Sequence, residues 1–139
     1  MSFKVLEEVP PNYEKIAACF DLTGRKPLFC YGDTIYNPHK AEITPDQIIH
    51  ESVHIKQQGD PEEWWDKYLT DDLFRFSQEL EAYAVQYGFV KKNTDKKITK
   101  RCLDILADLL SSPMYGGLCT AKEAKEKIRQ KYHGIMKGI

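Results

Sequence analysis

The pentapeptide His50-Glu51-Ser52-Val53-His54 restricts this chain more than any other segment, because its spacing has chemical meaning on an α-helix. Positions four apart on a helix differ by about 40° around the axis and by roughly one turn along it. Both imidazoles can then reach one metal ion, and Glu51 can reach a water held beside it. The preceding residues predict that helix. Thr44 stands as N-cap, Pro45 as the first helical residue, and Gln47 closes a capping box. Ile48, Ile49, Val53 and Ile55 are apolar on more than one side, which predicts a helix buried in a core. Two histidines and a glutamate on a buried helix need partners, and a metal supplies them. The plainer reading is a solvated helix face that happens to carry these residues; a chance match arises in roughly one chain in a hundred of this length.

Zinc suits two neutral imidazoles with an oxygen ligand, and a catalytic zinc site keeps its fourth position for water. Such a water becomes acidic, and Glu51 would take its proton as general base and return it to the leaving amine. A third ligand is expected from the helix around Phe76–Tyr83. There Leu73, Phe76, Leu80, Tyr83, Tyr87 and Val90 recur at helical spacing and are expected to point inward. Glu79 borders that stripe, with the small Ala82 one turn on, whereas Glu81 lies about 200° further round and closer to solvent. Glu79 is therefore the expected ligand and Glu81 the alternative. A donor to the developing oxyanion is also needed. Tyr83 and Tyr115 are the candidates, although Tyr83 equally fits core packing. His39 in a loop and His133 near the end of the chain carry no comparable signal. Trp64 and Trp65 read as core anchors.

His50-Glu51-Ser52-Val53-His54 followed by Glu79-Leu80-Glu81-Ala82 resembles the gluzincin-type zinc metallopeptidases, in which a glutamate on a downstream helix completes the site. The resemblance implies zinc held by His50, His54 and Glu79, Glu51 as general base, and a peptide or protein substrate lying along a strand beside the site. Thr34–Tyr36 is the expected strand. Many relatives have an aspartate that orients a ligand histidine where this chain has Tyr83, a departure at the position that would set the ring. The metzincin pattern is excluded, since Gln57, Gly59 and Asp60 occupy its region. The run Gln57 to Trp65 and the later Glu79-Leu80-Glu81-Ala82-Tyr83 are also similar to small metallopeptidase-like proteins encoded by bacteriophages. A phage or bacterial assembly or binding protein with a structural or inactive zinc site is the alternative function.

A chain of 139 residues with 42% hydrophobic content fits one soluble domain spanning 1–139. It contains no run of about eighteen apolar residues, so no membrane span is expected. Its start lacks the apolar segment of a signal peptide, which predicts a cytoplasmic protein of a bacterium or an infected host. The four cysteines stand far apart and read as reduced thiols. The halves differ in charge: residues 1–90 hold 8 basic and 16 acidic residues, and residues 91–139 hold 12 and 5. Solvated helix faces explain the basic half more cheaply than nucleic-acid binding, because acids are interleaved and no aromatic-rich motif accompanies the lysines. The acidic half holds the site, and steering would favour basic substrates. The oligomeric state is open.

Along the chain, the pattern predicts a short strand near Phe3–Leu6 and a helix whose Tyr13, Ile16, Ala17 and Phe20 form one stripe. A hairpin turning at Gly32-Asp33 follows, then the metal helix and a short helix through Trp64 and Tyr68. A long helix runs to about Val90, and another covers Asp95–Leu110 with Ile98, Cys102, Ile105, Leu106 and Leu109 as its buried face. Thr120-Ala121-Lys122-Glu123 caps a last helix. The fold class is α+β: a mainly helical, zincin-like minimal domain with a small antiparallel sheet or hairpin beside the metal-binding helix.

Overall fold

A computed structural model describes residues 3–138. Its elements run β1 (Lys4–Leu6), α1 (Tyr13–Cys19), β2 (Phe29–Tyr31), β3 (Thr34–Tyr36), α2 (Pro45–Gln58), α3 (Pro61–Thr70), α4 (Asp72–Asn93), α5 (Lys96–Leu110), a single 3-10 turn (Pro113–Tyr115) and α6 (Ala121–Lys137). The protein is thus mainly helical with one small sheet, an α+β fold. Among the described residues no helix is long and apolar enough to cross a membrane.

The helix starts lie where the side chains demand them. The Thr44 backbone N–H donates to Gln47 Oε1 at 3.0 Å, and the Thr44 hydroxyl donates to Asp46 at 2.6 Å. Asp60, Asp71 and Asp95 accept backbone N–H groups at the starts of α3, α4 and α5. Thr120 and Glu123 exchange the two bonds of a capping box at α6.

The hairpin of β2 and β3 turns at Gly32, whose φ of 64° suits the first position of such a turn. The sheet differs from the expected one. Its order is β1-β3-β2, with β1 parallel and β2 antiparallel to β3. The chain between β1 and β3 includes α1, long enough to bring β1 alongside in parallel. Thr34–Tyr36 is consequently the central strand, paired on both sides, and not a free edge for a substrate backbone. The outer side of β2 is engaged as well, since the Cys30 carbonyl accepts from Gln58 Nε2 at 2.6 Å and Trp65 Nε1 at 2.9 Å. The Gly32 N–H donates to Gln58 Oε1 at 2.7 Å, so Gln58 fastens the hairpin to the end of α2.

Two apolar clusters form. One joins α4, α5, α6 and the 3-10 turn around Tyr83, Tyr87, Leu106, Leu110, Tyr115 and Ile128. The other joins α1, β2 and α3 around Ile16, Phe29, Trp64, Trp65 and Tyr68. Two expected faces each lose one residue to the surface, and a third is displaced. On α4 Leu73 is 72% exposed, because the core begins a turn later. On α1 Ala17 is exposed and Ile16 alone is buried. On α5 the buried face is Thr99, Leu103, Leu106, Ala107 and Leu110, while Ile98, Ile105 and Leu109 lie at the surface.

Leu110 is fully buried, so Leu110→Ala is expected to lower stability by about 2–5 kcal/mol. Leu73→Ala is expected to change it by about 0.5 kcal/mol or less. Urea unfolding followed by circular dichroism measures both, and equal losses would put the first turn of α4 in the core.

Candidate metal centre

Helix α2 inverts the usual pattern. Its buried residues are Glu51, His54 and Gln58, while Ile48, Ile49, Val53 and Ile55 are only half-buried. The polar side faces α4, from which Glu79 projects. His50 Nε2 and His54 Nε2 lie 3.0 and 3.2 Å from Glu79 Oε1, and 3.2 Å from each other. The structure therefore brings together His50, His54 and Glu79 as a set of three metal-donor side chains.

Hydrogen bonds behind the rings fix which atoms face the centre. His50 Nδ1–H donates to Gln86 Oε1 at 2.9 Å. That amide cannot be reversed without loss, because its Nε2 donates to Asp46 Oδ2 at 2.7 Å. His54 Nδ1–H donates to Gln57 Oε1 at 2.8 Å, and Gln57 Nε2 donates in turn to the Gln78 carbonyl and to Glu81 Oε1. With both Nδ1 atoms protonated, both Nε2 lone pairs point inward. The Tyr68 hydroxyl donates to Glu79 Oε2 at 2.5 Å, which leaves Oε1 for the centre. Glu81 thus serves behind His54 and is not at the centre.

Two lone pairs and a carboxylate oxygen converging at this range need a positive charge between them. Donors about 2.0–2.1 Å from a tetrahedral zinc would stand about 3.3 Å apart, close to what is observed. The donor set fits that ion. Titration follows the same field. Burial opposes a charged His54, yet the Glu79 carboxylate overrides it and pushes the imidazole up to about 9. Burial likewise opposes a charged Glu79, but His54 and His50 hold its carboxyl well below the usual range. The site has a place for a cation.

Glu51 lies beside the triad with Oε2 3.8 Å from His50 Nε2. Among the described residues no group donates a hydrogen bond to it. Burial raises its pKa, an effect that His50 and His54 partly offset and Glu79 reinforces. The Tyr83 ring stands 4.7 Å from that of His50, and its hydroxyl is 3.4 Å from that of Tyr115. Burial pushes both phenols well above their ordinary pKa, so each remains an O–H. His39 and His133 are exposed and belong to no metal-donor cluster among the described residues.

These groups open into a cleft of about 590 Å³ between the two apolar clusters. Trp64, Trp65, Tyr68 and Phe29 form one wall; Leu106, Met114 and Tyr115 form the other. Apart from Glu51 and the triad, the charged residues lining it are Arg25 and Lys26.

Sequence reading missed Gln57, Tyr68 and Gln86. Gln86 sits two turns beyond Glu79, so it shares that residue's face, and a polar residue there is the available signal. Gln57 is one turn beyond His54. Tyr68 carries no signal, because only the packing of α3 brings it to Glu79.

Gln86→Leu and Gln57→Leu are each expected to weaken zinc binding about 10- to 100-fold by releasing one imidazole. Competition against a chromophoric chelator measures this; an unchanged affinity would show that the amides do not orient the rings. Compared with family models, with curated proteins and with solved structures, the chain matches none of them, so the chemistry of the site rests on its own geometry.

Proposed function

We propose that the protein is a zinc-dependent peptidase of the gluzincin type, with His50, His54 and Glu79 as ligands and Glu51 as general base. The observation that carries the reading is a three-donor centre with a buried carboxylate beside it, 3.8 Å from His50 Nε2, and an apolar cleft onto which they open. A structural zinc site closes its fourth position with a protein ligand, whereas a catalytic one leaves it open. This site is open. A cleft of about 590 Å³ lies within the range of small-ligand sites and accommodates a short stretch of peptide.

Bound by the triad, zinc would supply the Lewis acidity that makes water nucleophilic near neutral pH. Glu51 accepts the proton of that water as its oxygen bonds to the peptide carbonyl carbon. Glu51 then delivers the proton to the nitrogen as the C–N bond breaks, so that the products are a carboxylic acid and an amine. The raised pKa of Glu51 suits both halves of this exchange. The contact between the Tyr83 and Tyr115 hydroxyls uses one of their two protons. The other O–H is free to donate to the carbonyl oxygen as negative charge develops on it.

The purified protein with one equivalent of zinc is expected to cleave members of a fluorogenic peptide library, and a chelator is expected to abolish the cleavage. Glu51→Gln should retain zinc while losing about 10²- to 10⁴-fold in kcat. His50→Ala and Glu79→Ala should lose the metal, and Glu81→Ala should keep it. Cleavage by Glu51→Gln at the wild-type rate would overturn the assignment and favour a binding protein with a structural site.

A further inference from the structure

Helix α5 has two apolar faces, and the fold uses one. Leu103, Leu106, Ala107 and Leu110 are buried against the helices around them. On the adjoining face Ile98, Ile105 and Leu109 are 49%, 53% and 46% exposed, with Cys102 half-buried among them. Single exposed apolar residues are ordinary. These four are different because they alternate at spacings of four and three residues, which is the seam of a heptad pattern. The seam runs about 16 Å along the helix at 1.5 Å per residue.

The residues flanking the seam indicate what covers it. On the inner side Thr99 and Leu106 turn into the protein's own core. On the outer side stand Arg101 and Asp108, seven residues apart and opposite in charge. Neither belongs to an ion pair among the described residues; the pairs of this region are Lys125 with Asp104 and Arg129 with Glu126. A second α5 laid antiparallel about a two-fold axis near residues 103 and 104 would set Ile98 against the partner's Leu109 and Cys102 against the partner's Ile105. It would also set Arg101 against the partner's Asp108, twice by symmetry. A parallel pair would carry Arg101 and Asp108 of the two copies to opposite flanks of the seam, where neither meets an opposite charge. The charges therefore select the antiparallel arrangement.

We propose that this seam is the interface of a two-fold symmetric dimer in which α5 packs antiparallel on α5 of a second copy. Leu109 belongs both to the seam and to the lining of the cleft, so the second copy lies at the cleft's mouth and narrows it. The inference does not depend on the hydrolytic reading. A single helix pair of this length buries less than the roughly 1,600 Å² of a standard interface, so a Kd on the order of 10–100 µM is expected.

Sedimentation equilibrium of the full chain, from about 10 µM to 1 mM, tests it. The wild type should show a monomer–dimer equilibrium, and Ile105→Asp should remain monomeric throughout. Arg101→Asp should weaken association about 10-fold or more, and combining it with Asp108→Arg should recover the wild-type constant to within about 3-fold. Circular dichroism confirms that each variant folds, since all three positions lie on the surface. A wild type that stays monomeric, an Ile105→Asp variant that still dimerises, or a reversed pair that fails to recover association would each overturn the proposal.

Discussion

The interface between α2 and α4 is filled with polar side chains, and the rest of the structure is arranged around satisfying them. His54 is buried and His50 half-buried on α2, and Glu79 and Gln86 are buried opposite them on α4. In a low-dielectric interior each of these groups requires a partner, and an incomplete set costs more than an apolar one. The chain meets the demand in two tiers. The outer tier consists of amides: Gln86 lies between His50 and Asp46, and Gln57 between His54 and Glu81. The inner tier is the convergence of His50, His54 and Glu79, where two ring nitrogens meet one carboxylate oxygen.

One buried arginine connects that centre with the far wall of the cleft. The Arg75 guanidinium donates to the Tyr68 carbonyl at 2.8 Å, to the Met114 carbonyl at 2.9 Å and to the Asp72 carboxylate. It thereby holds the end of α3 and the 3-10 turn to α4. Tyr68 in turn holds Glu79 through its hydroxyl, and Met114 and Tyr115 line the cleft. Removing one partner of a buried, hydrogen-bonded charge is far costlier than the pair's net contribution, which is why such a group can fix geometry without adding much stability. The walls of the cleft belong to two separate clusters.

The parts legible in the sequence were those set by local rules. Caps at Thr44 and Thr120, the Gly32 turn and the helix spacing of His50 and His54 depend on residues within a few positions of one another. The preference for Glu79 over Glu81 followed from angular position on a single helix. What could not be read depended on how separate elements meet. The parallel placement of β1 beside β3 turns the expected edge strand into a central one, and no residue in Thr34–Tyr36 announces it. The orienting role expected of an aspartate at position 83 is taken by Gln86 and Gln57, amides whose value appears only when α2 and α4 are side by side. Tyr68 reaches Glu79 from a third helix.

Helix α5 shows why periodicity alone could not choose a buried face. Its residues offer two apolar stripes about 100° apart, one through Ile98, Cys102, Ile105 and Leu109, the other through Leu103, Leu106 and Leu110. Both satisfy the same spacing rule. The fold buries the second stripe, which includes Thr99 and Ala107. The Thr99 hydroxyl finds an acceptor in the Asp95 carbonyl at 2.8 Å, and the side chain of Ala107 is small enough to be fully buried. On the first stripe Ile98, Ile105 and Leu109 lie at the surface, with Cys102 half-buried among them. A helix that spends two of its faces on apolar residues can bury only one inside a single chain of this size. The other is left at the surface, where Ile98, Ile105 and Leu109 stand.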